Sequence, residues 1–400
     1  MSRAPIVNLA GFGLTTGLLA LASIATIPAM VSASGPGSWG AIALGQGVGG
    51  IAALVVGYGW TVTGPPKIAQ SSFGEQFNEY ADAMRVKLAL FLPCAAIAAL
   101  VATVITPGYP LFTAAGAISA TAVAFSAGWF FAGLSRPFLL LGLETVPRVV
   151  STGIGVVLMH SGWSALTGLA CMTAGMIAAF AIVTVWVFRT YGRGGAQRIP
   201  TPTSELLRSR REGIAVMLSA QLFFSAPLAI VSVAAPAQQP VYALADKIRQ
   251  LVSAGLSPLV MVFQGWVPQR GSDVIRKRAT IALGYAAVLG LVVIVVFLAV
   301  GDRLMQWLGH GEIPSDRPII VLTALTVAVD LFNSVLVFAV IAALGPLRIV
   351  TRATAISIGV MLVVTTVGAL RFGPAGALAG LLTGLIARVA LELRALRDSG

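Results

Sequence analysis

The sequence predicts an all-α integral membrane protein with about twelve transmembrane helices. Of its 400 residues, 57% are hydrophobic and only 10% are charged, whereas a soluble globular domain carries roughly 25% charged residues. The mean hydropathy is +0.92. The hydrophobic residues fall in blocks of about 18 to 25, the length that a helix needs to cross ~30 Å of hydrocarbon at ~1.5 Å per residue. Too few polar residues remain to cover a soluble fold, so a soluble protein is excluded.

Twelve candidate spans follow from these blocks, separated by short connections rich in Gly and Pro. The first block is too long for the hydrophobic region of a signal peptide and lacks a clean cleavage site, so we predict that it is an uncleaved span. The predicted spans are residues 7–32, 40–62, 87–105, 111–134, 138–159, 164–188, 213–234, 241–266, 279–300, 318–344, 353–370 and 374–393.

The distribution of Lys and Arg predicts that both termini lie in the cytoplasm. In that orientation 19 of the 26 basic residues fall on the cytoplasmic side, and only Arg303, Arg317 and Arg371 fall on the opposite side. Cytoplasmic loops of membrane proteins carry such an excess of Lys and Arg. The net charge of +12 therefore reflects topology, and no nucleic-acid partner is predicted. Five Trp residues near span ends are interpreted as interfacial anchors: Trp39, Trp60, Trp163, Trp186 and Trp266.

The longest and most basic connection, residues 189–212, follows the sixth span. It divides the chain into an N-terminal half (1–195), a basic cytoplasmic linker (196–212) and a C-terminal half (213–400). A faint repeat between residues 132–137 and 343–348 favours two related halves. Two six-helix halves around a central cavity are a common transporter architecture.

Charged residues within the spans are candidates for function, because each costs at least ~2.5–3.5 kcal/mol on insertion scales. Four cations outnumber three anions, which suits an anionic substrate and especially a phosphate, since Arg donates paired hydrogen bonds. No metal site and no cofactor are predicted. The candidates are Arg148, Lys247, Arg249 and Arg388 for substrate binding, and Glu144, Asp246 and Asp330 for coupling to a proton or sodium ion.

A structural interpretation of each charge also remains open. Glu144 and Arg148 are spaced i, i+4 and can neutralise one another, and Asp246 and Arg249 are spaced i, i+3. If the eighth span begins near residue 251, the charges before it are interfacial. Arg388 can extend to the cytoplasmic headgroups. Asp330 can accept a hydrogen bond from Ser or Thr of a neighbouring helix.

Patterns expected of an enzyme are missing from the sequence. There is no phosphate-binding Gly-rich loop, and nothing resembles a set of nucleophile, base and acid. His160 and His310 fall in predicted external connections without a metal-ligand pattern, and Cys94 and Cys171 lie within apolar blocks. We therefore expect that the protein is not an enzyme.

Four motifs, in the correct order, resemble those of polysaccharide flippases of the Wzx type, within the multidrug/oligosaccharidyl-lipid/polysaccharide exporter superfamily. They are the Gly-Pro-Gly-Ser-Trp-Gly turn at 35–40, the Trp-Phe-Phe stretch at 129–134, Val-Pro-Arg-Val at 146–149 and Ala-Asp-Lys-Ile at 245–248. The sequence departs from the family at Gly57, where many relatives carry an acidic residue, and at Pro66, where a basic residue is usual. No ion-coupling role therefore carries over to the second span.

The resemblance implies that the protein moves an undecaprenyl-diphosphate-linked oligosaccharide from the inner to the outer leaflet of the bacterial cell (inner) membrane, for surface polysaccharide biosynthesis. A diphosphate head cannot cross hydrocarbon unaided, because desolvation of its charge is prohibitive. A cationic cavity and alternating access of the two halves would supply the path. The partners expected are this lipid-linked substrate and membrane lipids.

Two alternatives remain. Another secondary transporter, such as an ion-coupled drug exporter, is disfavoured by the internal excess of cations. A polysaccharide polymerase or ligase needs a sizeable external loop that carries catalytic groups, and the largest predicted one is only about residues 301–318.

Overall fold

The computed structural model describes residues 3–195, 203–267, 272–314, 316–341 and 348–398. Within these ranges the secondary structure is helical and contains no β-strand. Residues 196–202 of the predicted linker and residues 343–347 of the faint repeat lie outside the described residues. The predicted all-α fold class is therefore confirmed for the described part of the chain.

The first helix, α1 (Arg3–Gly57), is broken inside the Ser-Gly-Pro-Gly segment that separates the first two predicted spans. Gly35 has φ 82°, a left-handed value that glycine adopts without a steric penalty, and Pro36 then begins the second arm. Tyr58 and Gly59, with φ of 41° and 78°, end α1. The remaining helices before residue 196 are α2 (Trp60–Gln70), α3 (Phe73–Ile105), α4 (Pro110–Ala122), α5 (Gly128–Gly133), α6 (Pro137–Leu140), α7 (Val146–His160) and α8 (Ala165–Gly195).

The second part of the chain contains a helix with a similar break. The last helix, α13 (Arg348–Asp398), is interrupted at Gly373, where φ is 57°, and Pro374 follows directly. This break falls at the predicted Phe-Gly-Pro connection. The other helices are α9 (Thr203–Ala234), α10 (Gln239–Trp266), α11 (Ser272–Leu308) and α12 (Arg317–Val335), and α12 continues as a π-helical segment at Leu336–Ile341.

Eight stretches of the described residues are long and apolar enough to cross a membrane. Two of them, Ala10–Gly57 and Val350–Arg397, contain the breaks at Gly35 and Gly373. The outer surfaces of the eight stretches carry large apolar side chains, such as Leu92 of α3, which is 73% exposed. Such a surface needs a hydrocarbon environment. The chain is thus a multi-pass membrane protein. The count of twelve crossings and the cytoplasmic location of the termini stay predictions.

Two compact units make up the chain, Met1–Gln221 and Leu222–Gly400. In the first unit, α1 packs most extensively on α4, and α7 packs on α8. In the second unit, α12 packs against α10, α11 and α13. The boundaries predicted for the N-terminal half, the linker and the C-terminal half stay a prediction.

Tryptophan positions correct one interpretation of the sequence. Trp39 and Trp60 are buried within the first unit, so the prediction that they anchor the protein at the membrane interface is wrong. Trp60 instead donates its indole N–H to Oε1 of Glu79 at 2.9 Å. Trp163 is 58% exposed, as an interfacial anchor would be. A Trp near a span end is therefore not sufficient to identify an anchor.

Several glycines allow helices to pack backbone against backbone. A Cβ atom on Gly45 or Gly49 of α1 would meet main-chain atoms of Thr113 and Ala117 in α4. In α13, Gly376 faces Gly368 across the break in the same way. Small residues at helix interfaces permit such close approach in membranes.

Gly49→Ala is expected to destabilise the protein, because the backbone of α4 cannot move away without losing its packing on α1. Overpacking costs typically ~1–3 kcal/mol, and a clash with main-chain atoms belongs at the upper end. Thermal unfolding of the purified protein measures the effect. Gly17→Ala is the matched control, since no described atom lies within 4 Å of a Cβ at this helical position. Equal melting temperatures for the two variants would contradict this account of the packing.

Candidate functional site

A buried carboxylate lies at the centre of the polar cluster in the first unit. Glu144 belongs to a single π-helical segment, Leu141–Thr145, that leads into α7, and it is only 3% exposed. Its carboxylate accepts hydrogen bonds from Ser126 Oγ at 2.6 Å, from the backbone N–H of Ala127 at 2.8 Å and from Arg148 Nη1 at 3.1 Å. Isolated π-helical turns occur frequently at functional sites.

Glu144 accepts hydrogen bonds from two residues, Ser126 and Ala127, at a break between neighbouring helical segments. After the 3-10 turn at Val123–Phe125, Ser126 adopts ψ 134°, so the backbone leaves the helical conformation before α5 begins. Lys87 Nζ donates a hydrogen bond to the freed carbonyl of Ser126 at 3.1 Å. Non-helical backbone at membrane depth is tolerated only where protein or cavity water satisfies its polar groups. Glu144 and Lys87 satisfy two of these groups.

The sequence predicted Lys87 as the first residue of the third span and counted it among the basic residues of the cytoplasmic side, whereas the structure places it well inside a helix. Helix α3 begins at Phe73, fourteen residues before the predicted span, and Lys87 is 1% exposed, with its ammonium 5.7 Å from the centre of the Trp129 ring. Glu79 and Asp82 of the same helix are also buried. No pattern in the sequence singles out Lys87, because at ~100° per residue Asp82 and Lys87 point about 140° apart on the helix.

A second pair of charges in this unit joins α2 to α3. Glu79 accepts the indole N–H of Trp60 and forms a salt bridge with Lys67 Nζ at 2.5 Å. Because Lys67 is half exposed while Glu79 is buried, this pair lies at the edge of the unit. We interpret it as a structural contact that fixes the turn at Tyr58 and Gly59.

In the second unit, Arg249 binds two of the predicted carboxylates. It contacts Asp246 Oδ1 through Nε at 2.9 Å and Nη2 at 2.8 Å, and its Nη1 lies 4.0 Å from Asp330 Oδ2. The guanidinium also lies over the ring of Phe224, 4.4 Å from its centre. Asp330 accepts a hydrogen bond from Ser253 of α10 at 2.9 Å. This is the hydrogen bond from a Ser or Thr of a neighbouring helix that the sequence left open as the structural role of Asp330. Each nitrogen of Arg249 therefore faces a carboxylate, with Nη1 beyond hydrogen-bond distance of Asp330.

Lys247 lies on the same helix as Asp246 and Arg249 but, unlike them, forms no ion pair with a described residue. It is half-buried and makes no hydrogen bond or salt bridge with another residue that the structure describes. Helix α10 begins at Gln239, so the charges at 246–249 lie on regular helix. Asp246 and Arg249 are buried within the protein, and their depth in the membrane stays a prediction. Whether α10 crosses the membrane stays a prediction.

Arg388 pairs with a carboxylate that the sequence analysis did not consider. Its Nε donates to Oε1 of Glu392, one turn further along α13, at 3.0 Å. The two terminal amino groups of Arg388 have no hydrogen-bond partner among the described residues. Both side chains are buried, so the alternative in which Arg388 extends to the headgroups is not observed. The i, i+4 spacing was a signal in the sequence.

Together the predicted residues form three clusters, one in the first unit and two in the second. The sequence count omitted four charged residues that the structure buries, Glu79, Asp82, Lys87 and Glu392. With these included, six anions stand against five cations, so the proposal rests on how individual cations are partnered and not on an excess of positive charge. Of the four cations predicted to bind substrate, three keep N–H groups that contact no other described residue: Arg148, Lys247 and Arg388. We call these the open cations. No group of three or more potential metal ligands occurs in the described part of the chain.

A pocket of about 300 Å³ lies beside Asp330 within the second unit. Its polar lining consists of Asp330, Ser253, Ser257, Gln264 and Ser334, and the remaining lining residues are apolar. The volume is at the lower end of the range for small-molecule sites.

Comparison with solved structures identifies this helical arrangement. No protein-family model matches the sequence, and no curated protein matches it. An inward-facing multidrug resistance MATE family transporter of the MOP superfamily aligns with a TM-score of 0.66 at 14% identity, over 100% of both chains. The chain has the MATE transporter fold. A crystal structure of a MATE mutant aligns at 0.55 with 13% identity, over 99% of this chain and 97% of the other.

A third neighbour with the MATE fold is a MOP superfamily transporter from Pyrococcus furiosus, at a TM-score of 0.55 and 14% identity, covering 99% of this chain and 96% of that one. The binding pocket of that transporter has reverse polarity, which suggests a different function for it. At these identities the likeness shows the fold alone, and the superfamily named from the sequence motifs stays a prediction. The fold does not choose among the substrates of that superfamily.

Proposed function

We propose that the protein translocates a lipid-linked oligosaccharide with an anionic diphosphate head between membrane leaflets. The observation that carries the proposal is the set of open cations, Arg148, Lys247 and Arg388. A buried cation is costly unless an anion or hydrogen-bond acceptor approaches it. N–H groups with no partner among the described residues are therefore free to donate hydrogen bonds to an anionic substrate.

Arg148 illustrates how much binding capacity remains. Its side chain is 20% exposed, and only Nη1 contacts Glu144, so Nε and Nη2 are unoccupied among the described contacts. Hydrogen bonds to charged groups contribute about 1.5–3 kcal/mol each. A diphosphate presents several acceptor oxygens to such donors. Arg249, whose nitrogens each face a carboxylate, is assigned the role of positioning Asp246 and Asp330.

The fold supports transport but leaves the substrate to the chemistry of the site. Neighbours with this fold include a multidrug transporter and a transporter described with a pocket of reverse polarity, so the sign of the charge decides between substrate classes. The motifs at 129–134 and 245–248, which resemble those of polysaccharide flippases, contain or adjoin the polar clusters. Alternating access around cationic groups would replace the hydration of the diphosphate during transfer.

Proton or sodium coupling is part of the proposal, and the three predicted carboxylates differ in suitability. Glu144 accepts three hydrogen bonds, and Asp246 binds Arg249 and Gln250. Asp330 borders the 300 Å³ pocket and is the most accessible of the three to an ion.

Export of an organic cation is the second candidate, and the Asp330 pocket is the observation that favours it. A carboxylate beside serine hydroxyls and apolar side chains suits an amphiphilic cation. Arg249 opposes this reading, because its Nη1 lies 4.0 Å from Asp330 and already offsets the negative charge. We therefore rank this candidate second.

Deletion of the gene tests the proposed function in the cell. A flippase deletion makes lipid-linked repeat units accumulate on the inner leaflet, where they remain inaccessible to external glycan-modifying enzymes. Accumulation of unpolymerised units on the outer leaflet would indicate a polymerase instead. Unchanged lipid-linked glycans together with increased sensitivity to cationic drugs would favour the second candidate.

A further inference from the structure

Glu392 is the most completely buried carboxylate described in the second unit. The proposed transport step assigns it no role. Its residue exposure is 0%. One oxygen, Oε1, accepts a hydrogen bond from Arg388 Nε at 3.0 Å. The other oxygen, Oε2, is buried and has no hydrogen-bond partner among the described residues. An ionised carboxylate has acceptor capacity on both oxygens, so half of this group is unsatisfied.

An unsatisfied buried acceptor that also carries charge is costly, and a proton removes much of that cost. Desolvation penalises the charged form of a carboxyl group, and hydrogen bonds to the charged form offset the penalty. Glu144 has three such hydrogen bonds, and Asp246 receives Arg249 and Gln250. Glu392 has one donor, so protonation offsets the desolvation cost of this carboxylate more than that of Glu144 or Asp246.

The charged surroundings of Glu392 are limited. On its own helix, Arg388 is the charged partner. The elements packed on α13 are α10, α12 and the π-helical segment at 336–341. The charged described residues of these elements are Asp246, Lys247, Arg249, Arg317 and Asp330. Helix α11, which packs with Val389 and Leu396 of α13 in one apolar cluster, adds Arg276, Lys277, Arg278, Asp302 and Arg303. None of these makes a hydrogen bond or salt bridge with Glu392 among the described contacts. No second cation therefore opposes its protonation by direct contact.

We propose that Glu392 is a proton-binding site of the C-terminal unit. The carboxylate takes up one proton and becomes a neutral carboxylic acid, and no other bond forms or breaks. Neutralisation removes the counter-charge of Arg388 and leaves the guanidinium available to an anion. In this last respect the inference rests on the proposed function, since it would link proton uptake to binding of the diphosphate. The proton site itself requires no substrate.

Infrared difference spectroscopy on the full-length protein in lipid nanodiscs, without substrate, tests the site. The wild type should show a carboxylic-acid C=O band that titrates with pH. Glu392→Gln should abolish that band, while the control Glu312→Gln, at an exposed glutamate, should retain it. A band that persists in Glu392→Gln, or no titrating band in the wild type, would overturn the proposal.

Carbodiimide labelling of the wild type gives a test that does not depend on a folded variant. Dicyclohexylcarbodiimide reacts with protonated carboxyl groups in apolar surroundings, and mass spectrometry identifies the labelled residue. Labelling should occur at Glu392 in preference to Glu144 and should be lost at high pH. Labelling of Glu144 without Glu392 would refute the assignment. Because neither experiment contains a transported substrate, failure of the proposed function leaves both results interpretable.

Discussion

Glu144→Ala is expected to lower the stability of the N-terminal unit by about 3–5 kcal/mol, the usual result of removing one partner from a buried charged pair. The substitution leaves the guanidinium of Arg148 without its carboxylate. It also removes the acceptor for Ser126 Oγ and for the backbone N–H of Ala127. Lys87, fully buried beside the same break, loses the nearest negative charge. Thermal unfolding of detergent-solubilised protein, followed by circular dichroism, measures the loss.

Two further variants separate this explanation from a general sensitivity to mutation. Glu312→Ala changes an exposed glutamate and should leave the melting temperature unchanged. Combining Glu144→Gln with Lys87→Met removes a buried cation together with the carboxylate, and this double variant should recover part of the stability lost in Glu144→Gln alone. If Glu144→Ala melts with the wild type, the carboxylate does not hold the break at Ser126 and Ala127.

Replacing the open cations is expected to produce the second large effect. Lys247→Ala and Arg388→Ala should each reduce translocation of a diphosphate-linked substrate by roughly 10- to 100-fold, from a loss of about 1.5–3 kcal/mol per hydrogen bond to a charged group. Lys247→Ala should leave stability nearly unchanged, because its ammonium bonds no other described residue. Surface polysaccharide in a deletion strain complemented with each variant provides the measurement.

Arg371→Ala is the matched control for these variants. Arg371 is exposed near the break in α13, and it lies on the side of the membrane opposite to most basic residues in the predicted topology. Its replacement should leave polysaccharide export intact. Wild-type export by Arg148→Ala and Lys247→Ala would eliminate the role assigned to the open cations, provided that both variants are present at normal levels in the membrane.

The helical architecture was accessible from the sequence because hydrocarbon imposes it. Apolar blocks of the right length must form helices in a bilayer, and each predicted span overlaps an observed helix of the described residues. The interruptions were also readable, because Gly35 and Gly373 take positive φ and are each followed by proline. Close packing at a glycine is not readable in this way, because Gly45 and Gly49 pack on the backbone of α4, whereas Gly13 and Gly17, with the same four-residue spacing, have no described atom within 4 Å of a Cβ.

The polar clusters were only partly accessible. Hydropathy marks the end of a span near its first charged residue, so the third span was predicted to begin at residue 87 although α3 begins at Phe73. The partner of Lys87, the carbonyl of Ser126, is 39 residues away and is exposed only by a backbone break that composition does not reveal. Pairs within one helix, such as Glu144 with Arg148, follow from spacing. The contact of Asp330 with Ser253 depends on tertiary packing.

The most direct test of the central claim is leaflet transfer by the purified protein in sealed vesicles. A polyprenyl-diphosphate-linked oligosaccharide is placed in one leaflet, and its appearance in the other is followed with a membrane-impermeant glycan-modifying enzyme. The account predicts transfer by the wild type, strong reduction in Lys247→Ala and Arg388→Ala, and no transfer of the same glycan on an uncharged lipid. Accumulation of an organic cation, with no movement of the diphosphate lipid, would contradict it.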